Sequence, residues 1–161
     1  MKVDVALTAD AVVADTMAGA TALVIDVLRA STTIITALAN GGAAVVPVAE
    51  PETALRRAAG HPGPGPALTA GERRGEPIPG FDLGNSPLEF SPARVRGATL
   101  FLTTSNGTRA LLAARPARAV AVAGLVNVGA AAAWAAGQSG DVVLVCAGIL
   151  TLLQMLMKTW L

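Results

Sequence analysis

Apolar and polar residues alternate in blocks along the chain, and the blocks predict strands and helices in turn. Unbroken runs rich in Val, Ile and Leu are typical of strands that are buried on both faces. Strand patterns lie at 2–7, 21–25, 43–48, 67–70, 98–104, 117–123 and 141–146. Helical patterns lie at 31–38, 50–60, 110–113 and 125–136. This alternation predicts an α/β fold, with a mostly parallel (mixed) sheet and helices on both faces, in one domain over residues 1–148.

The stretch from Thr21 to Thr33 joins the first buried strand to the first long helix. Asp26 follows the apolar run, and Arg29 comes three positions later, just before Ser31 at the expected helix start. Ser is a favoured N-cap residue, and open α/β sheets bind ligands beyond the carboxyl ends of their strands. Helix-start N–H groups and a guanidinium both bind oxyanions. The stretch therefore predicts an anion site with an acid facing it.

A second buried strand ends in a similar way. Residues 103–109 read Thr-Thr-Ser-Asn-Gly-Thr-Arg and precede a short helical pattern. The Asn-Gly pair favours positive φ, which turns N–H groups inward as an anion-binding nest. The segment is not a P-loop, because no Gly-Lys-Ser/Thr follows. Since both strands belong to the predicted sheet, we expect the two turns to open at the same edge.

A long polar stretch, residues 71–87, is too rich in Gly and Pro to form a helix. It carries four oxygen donors of the kind that a hard cation takes, namely Glu72, Asp82, Asn85 and Ser86. A surface Ω-loop held by Asx and Ser turns explains the same residues equally well. Spacing alone does not separate a cation site from such a loop.

Composition limits the partners. Hydrophobic residues make up 53% of the 161 residues and charged residues 14%, with a net charge of +1 and no basic run interleaved with aromatics. We therefore expect no nucleic-acid binding. A single cysteine and an N-terminus without a signal-peptide core predict a cytoplasmic protein. The uncharged run 142–157 is shorter than the ~20 residues of a spanning helix, so we expect no membrane anchor.

The character of the sequence changes after Gly148. Residues 149–161 contain no Gly, Pro, Asp or Glu, unlike the Gly- and Pro-rich chain before them. We interpret this segment as an atypical apolar tail that follows a frame shift or a premature end, which leaves the sheet incomplete at the C-terminus. An incomplete sheet exposes an apolar edge, so we expect self-association into a homo-oligomer.

Four segments together resemble the 2-phosphosulfolactate phosphatase family: Asp26–Thr33, Gly80–Pro87, Thr103–Arg109 and Val145–Gly148. The resemblance implies an α/β fold of the family's own. It also implies a Mg²⁺-dependent acid phosphatase that cleaves 2-phospho-3-sulfolactate, a small polyanion, to 3-sulfolactate and phosphate in coenzyme M biosynthesis. Family chains continue beyond the last of these segments with a Gly-rich acidic stretch.

The resemblance also suggests roles for individual residues. We assign catalytic roles to Asp26, Arg29 and Arg109, with the two arginines binding phosphate and sulfonate. We expect Mg²⁺ to be held by Asp26, Glu72 and Asp82; alternatively, Asp26 is a nucleophile that forms an aspartyl-phosphate. Substrate contacts are expected from Ser31, Thr32, Asn85, Ser86, Thr104, Ser105, Asn106 and Thr108.

Two alternatives stay open. The first is an inactive fragment of the family, a binding module that keeps its affinity for anions without turnover. The second is a haloacid-dehalogenase-type phosphatase, which an acid after an apolar strand also suggests. That class carries a second Asp two positions after the first, where this chain has Leu28. We rank it last.

Overall fold

A computed structural model describes residues 1–148. The strands are β1 (Val3–Ala6), β2 (Thr21–Ile25), β3 (Ala44–Pro47), β4 (Ala67–Arg73), β5 (Glu76–Pro77), β6 (Thr99–Thr103), β7 (Ala119–Ala123) and β8 (Val142–Cys146). The α-helices are α1 (Ala14–Met17), α2 (Ala30–Ala39), α3 (Pro51–Ala59), α4 (Pro92–Val95), α5 (Gly107–Ala113) and α6 (Val128–Ala136). The prediction of an apolar tail at 149–161 falls outside the described residues.

The strands of this part of the chain form two four-stranded sheets. Sheet A has the order β1-β8-β2-β7 and is parallel throughout; sheet B has the order β3-β6-β4-β5, in which only β5 is antiparallel. The α/β class is confirmed, but the expectation of one sheet is wrong. Helix α2 connects β2 in sheet A to β3 in sheet B, and α5 connects β6 in sheet B back to β7 in sheet A. A hydrophobic run shows that a strand is buried, not which sheet it joins.

The crossing gives the two halves of the domain the same topology. In sheet A, β2 lies between β7 and β8, whereas in sheet B, β6 lies between β3 and β4. The segments β2-α2-β3-α3-β4 and β6-α5-β7-α6-β8 are therefore equivalent in strand and helix order. The loops that follow β2 and β6 hold equivalent positions, one in each half.

Helices α2 and α5 lie between the two sheets. Ala110 of α5 and Ala114, which caps its C-terminal end, pack with Val24 and Val145 of sheet A, and Ile34 of α2 packs with buried residues of sheet B. The outer faces are covered by α6 on sheet A and by α3 on sheet B. The N-termini of α2 and α5 lie close together in this middle layer, since a Cβ on Gly107 would be 2.6 Å from the Cβ of Ala30. None of the helices within residues 1–148 is both long enough and apolar enough to cross a membrane.

The polar stretch at 71–87 begins as sheet. Strand β4 continues through Arg73 and pairs with β5, so the two form a hairpin whose tip is Arg74 and Gly75. Both tip residues have positive φ, 55° and 85° respectively, as the type I′ hairpin turn demands. Sequence analysis placed the end of this strand at Ala70. The extension carries Glu72 past the carboxyl end of the neighbouring β6.

Candidate functional site

The carboxylate of Asp26 lies where the N-termini of α2 and α5 meet. It accepts backbone hydrogen bonds from Ala30 and Gly107, the first residues of the two helices. Its own N–H donates to Ser31 Oγ at 2.8 Å, and its carbonyl accepts from Ser31 N–H at 2.9 Å. Helix-start amides carry partial positive charge. The donors that we assigned to a bound oxyanion therefore hold Asp26 itself.

Glu72 supplies a second carboxylate, and it is almost fully buried, with 8% of its surface exposed. Its Oε1 accepts from Ser105 N–H at 2.6 Å, and its Oε2 accepts from Gly75 N–H at 2.7 Å and Ser105 Oγ–H at 3.0 Å. Hydrogen bonds to a charged group are strong because the acceptor is ionised. Glu72 therefore ties the β4–β5 hairpin to the loop after β6.

The two carboxylates influence each other. Burial raises the pKa of Asp26 above its ordinary value of 3.8, and the charge of Glu72 raises it further. The hydrogen bonds from Ala30 and Gly107 and the charge of Arg29 act in the opposite direction without cancelling the rise. A carboxyl group with a raised pKa beside a second acid is typical of functional sites.

The arginines are arranged differently from our expectation. Arg29 is close enough for its charge to lower the pKa of Asp26. Arg109, in contrast, donates to Asp10 Oδ1 at 2.7 Å in an exposed ion pair. The structure pairs Arg109 with Asp10 in the loop after β1, and its convergence with Arg29 on one pocket stays a prediction.

The predicted metal ligands are also only partly assembled. Asp82 Oδ2 accepts from the backbone N–H and the hydroxyl of Thr69, both at 2.8 Å. Asp82 thus fastens the polar stretch onto β4. No group of three His, Cys, Asp or Glu side chains that could hold a metal ion exists within residues 1–148. The structure keeps Asp26 and Glu72 together and leaves Asp82 out.

Buried hydroxyl groups close the loops. Ser31, Thr104 and Thr108 are 2%, 3% and 1% exposed. Thr104 N–H donates to Thr108 Oγ1 at 2.8 Å, and Thr108 N–H donates to Thr104 Oγ1 at 3.0 Å. The structure uses these three hydroxyls to close the loops, and their contact with substrate stays a prediction.

The other predicted polar contacts are spread around the same edge. Thr32 Oγ1 donates to the carbonyl of Val27 at 3.3 Å. The side chain of Asn106 lies against Gly148, where an added Cβ would be 3.2 Å from Asn106 Cγ. Ser86 precedes a short 3₁₀ turn and accepts from Glu89 N–H through its carbonyl at 3.0 Å. Ser105 donates hydrogen bonds to Glu72 through its N–H and its hydroxyl.

Asn85 carries an acceptor with no partner. Its Oδ1 is the one buried side-chain polar atom of residues 1–148 that has no hydrogen-bond partner. Thr33 Oγ1 of α2 donates to the Asn85 carbonyl at 3.0 Å, and Gly71 N–H donates to the carbonyl of the preceding Gly84 at 3.1 Å. Asn85 is thus bracketed by α2 and by the residue before Glu72. An enclosed acceptor costs about 1–3 kcal/mol until a donor reaches it.

Sequence analysis missed the arginines at the β4–β5 turn. Arg73 donates to the carbonyls of Ala49 and Glu72 at 2.6 and 3.1 Å and to Thr103 Oγ1 at 2.7 Å. Arg74 N–H donates to Ser105 Oγ at 2.9 Å. The Arg-Gly pair between two strand-forming segments was the available signal. The significance of this pair depends on the extension of β4 beyond Glu72, which brings both arginines to the turn.

Gly107 allows the two helix starts to meet. A Cβ at this position would lie 2.6 Å from Ala30 Cβ and 2.7 Å from Asp26 Oδ2. We therefore expect Gly107→Ala to push the two loops apart and to lower activity at least tenfold, while unfolding stability falls by only about 1–3 kcal/mol. Steady-state kinetics and urea unfolding measure the two effects.

A compensating change tests that explanation. Ala30→Gly removes the methyl group that the new Cβ meets, so the double variant Gly107→Ala/Ala30→Gly should regain part of the lost activity. Double-variant activity equal to or below that of Gly107→Ala would show that steric contact with Ala30 is not the cause.

Fold and site together define a class: an α/β protein with two topologically equivalent halves, whose junction holds a pair of carboxylates with arginines around it. A family model described as "2-phosphosulpholactate phosphatase" matches residues 6–151. The chain belongs to this family.

Relatives in three bacteria support the assignment, each named a probable 2-phosphosulfolactate phosphatase. The one from Symbiobacterium thermophilum is 48% identical over 84% of this chain and 58% of its own length. The one from Caldanaerobacter subterraneus is 46% identical over 78% of this chain and 52% of its own. The one from Clostridium acetobutylicum is 41% identical over 92% of this chain and 62% of its own. The chain thus spans roughly half to three fifths of these relatives.

Proposed function

We propose that this chain carries the site of a phosphoric monoester hydrolase that converts 2-phospho-3-sulfolactate to 3-sulfolactate and phosphate. Family membership and the names of the relatives support this substrate. The observation that carries the proposal is the pair of Asp26 and Glu72, with Arg29, Arg73 and Arg74 nearby and outside any ion pair. The ion pairs of residues 1–148 are Lys2–Asp4 and Arg109–Asp10.

The charge balance suits such a substrate. Phosphosulfolactate bears a phosphate, a carboxylate and a sulfonate, so its binding needs several cations. A guanidinium gives bidentate hydrogen bonds to these planar or tetrahedral anions. Arg73 is held by two carbonyls and a hydroxyl, which occupy three of its N–H donors without neutralising its charge. Its positive potential remains available to an anion.

Magnesium fits the carboxylate pair, and we propose it as the cofactor. Mg²⁺ is usually bound by one or two carboxylates together with waters and substrate phosphate. Asp26 and Glu72 meet that need without Asp82, and a cation beside them would offset the charge of Glu72, which adds to burial in raising the pKa of Asp26. When bound, the ion lowers the charge of the phosphoryl group and activates water.

The residues then divide the work. Arg29 and the turn arginines bind and orient the anion, and Glu72 positions Ser105 and the turn. Asp26 either holds the metal or attacks phosphorus. In the second case an Asp26 oxygen bonds to phosphorus as the bond to the ester oxygen breaks, and that oxygen takes a proton from solvent water. A water molecule then hydrolyses the aspartyl-phosphate, which releases phosphate and restores the Asp26 carboxylate. Both alternatives need Asp26 ionised.

A binding module without turnover is the second candidate. The chain covers 52–62% of the length of the three relatives above, so the activity of those whole proteins is a proposal for this chain. Such a module needs cations for its anion, and Arg29, Arg73 and Arg74 supply them. They do not by themselves guarantee hydrolysis.

Phosphate release tests the proposal directly. We expect release from 2-phospho-3-sulfolactate in the presence of Mg²⁺, a fall of roughly 100-fold or more after EDTA, and recovery when Mg²⁺ is restored. The Asp15→Asn variant, which changes an exposed acid in α1, is the matched control and should behave as the parent chain. Calorimetric binding of 3-sulfolactate without phosphate release would instead support the binding module.

The wider context is also a proposal. The reaction suits a coenzyme M route that makes sulfolactate, and Cys146, the one cysteine, is free, as in a reducing cytoplasm. Strands β1 and β7 form the two edges of sheet A, and Val3, Val5 and Leu125 are exposed there and after β7. We infer from these surfaces that copies of the chain self-associate.

A further inference from the structure

The tip of the β4–β5 hairpin is anchored beside the carboxylates. Arg74 N–H donates to Ser105 Oγ at 2.9 Å, and Gly75 N–H donates to Glu72 Oε2 at 2.7 Å. Ser105 in turn donates to both oxygens of Glu72. These bonds hold the backbone of the tip at a defined place next to Glu72.

Arg74 adopts an unusual conformation at that place. It is the one non-glycine residue of residues 1–148 with positive φ, at 55°. Asn, Asp and Gly are the residues that favour this position of a type I′ turn. A residue held in a left-handed conformation is often found at ligand-binding sites. Arg74 therefore carries a long charged side chain at a turn position whose backbone conformation favours Asn, Asp or Gly.

The guanidinium of Arg74 is not used by the fold. Arg74 is exposed, and within the described residues its side chain makes no hydrogen bond or ion pair. Arg73 beside it is held by three neutral acceptors. The turn therefore presents one fixed cation and one movable cation at the edge of the site.

Other groups that could bind a second anion are already occupied. The first amides of α2 and α5 hold the Asp26 carboxylate, and Arg109 is neutralised by Asp10. Arg29 lies next to Asp26, where the phosphate would react. An anionic group at the far end of the same ligand needs another donor, and the hairpin tip supplies one.

We propose that Arg74 is a specificity-determining residue whose guanidinium binds an anionic group of the substrate remote from the reacting phosphate. This inference rests on the proposed function for the identity of the ligand, a phosphate ester that bears a second, non-ester anion. The partner is the carboxylate or the sulfonate, both of which accept two parallel hydrogen bonds from a guanidinium. The tip selects polyanionic esters over simple ones.

Arg74→Gly is the test variant. Glycine removes the guanidinium and is at ease at positive φ, so the variant should unfold at the same urea concentration as the parent chain or at a higher one. Arg74→Lys keeps a positive charge without the bidentate geometry and should show an intermediate effect. Arg115→Ala, which changes an exposed arginine beyond the C-terminal end of α5, is the matched control.

Three esters with one carbon skeleton separate the groups that are bound. Phosphosulfolactate has both additional anions, 2-phospholactate has only the carboxylate, and isopropyl phosphate has neither. We expect Arg74→Gly to raise KM for phosphosulfolactate about tenfold or more with little change in kcat, and to leave KM for isopropyl phosphate nearly unaltered. A matching rise with phospholactate identifies the carboxylate as the partner, and no rise identifies the sulfonate. Equal changes for all three esters, or none, overturn the inference.

A binding measurement keeps this inference separate from the proposed function. By calorimetry, 3-sulfolactate should bind the parent chain about tenfold or more tightly than Arg74→Gly, whether or not turnover occurs. If the variant binds sulfolactate more weakly and neither protein releases phosphate, the phosphatase function is rejected and the binding role of Arg74 is retained. If both proteins turn over the ester, with equal affinities for sulfolactate and equal KM values, the phosphatase function is retained and the role of Arg74 is overturned. If the parent chain neither hydrolyses the ester nor binds sulfolactate, both fail.

Discussion

The Asp26→Asn variant is expected to lose phosphate release by on the order of 1,000-fold or more while remaining folded. An amide is a poorer metal ligand than a carboxylate and is no nucleophile, so both roles open to Asp26 are removed. The amide keeps one oxygen that accepts hydrogen bonds, and two helix-start N–H groups hold the carboxylate, so we expect the loop to be preserved. Phosphate release under saturating substrate and Mg²⁺ measures the loss, and Asp15→Asn serves as the control.

The same variant should alter how stability depends on pH. Because the pKa of Asp26 is raised from 3.8 in the folded protein, the folded protein keeps a proton that the unfolded chain has already lost. Stability therefore falls as pH rises between 3.8 and the folded-state pKa, and then levels off. Asn has no proton to lose, so the unfolding free energy of the variant should lack this fall.

Urea unfolding of both proteins between about pH 3.5 and 8 tests the sign. The difference in unfolding free energy, variant minus parent, should rise with pH and then reach a plateau. A difference that stays flat would mean that the pKa of Asp26 is not raised, and a difference that falls would mean that it is lowered.

The Gly71→Ala variant is expected to lose roughly 3–5 kcal/mol of unfolding free energy, or to fail to fold. Gly71 has φ of 144°, and a Cβ there would lie 1.8 Å from the carbonyl oxygen of Thr103. That atom is backbone, in the β6 strand that pairs with β4, so it cannot rotate away as a side chain can. Relief requires that β4 and β6 separate beside Glu72, which should also remove Glu72 from Ser105.

Gly129→Ala is the matched control. Gly129 lies in the first turn of α6, and its added Cβ would meet no atom within 4 Å. In a helix, Ala is better than Gly by up to about 0.5–1 kcal/mol, and less in the first turn, so this variant should be at least as stable as the parent chain. Urea midpoints of the three proteins give the comparison. A midpoint of Gly71→Ala close to that of the parent chain would show that the β4–β6 contact yields readily.

The sequence by itself determined two of the strands that carry the site and where they end, but not the extension of β4 that carries Glu72. The apolar run 21–25 and the run 98–104 became β2 and β6, because a buried strand needs side chains that are apolar on both faces. Asp26 lies in the loop after β2, as predicted. The four segments that resemble the family were also sufficient to name it.

Only the tertiary structure decided which side chains meet. Periodicity is a local property, so it did not show that α2 and α5 cross between two sheets, which brings Gly107 against Asp26. It did not show that Arg109 finds Asp10, 99 positions away, or that Glu72 finds Ser105. These pairings depend on charges and donors that become neighbours through folding, and a residue's sequence neighbours carry no record of them.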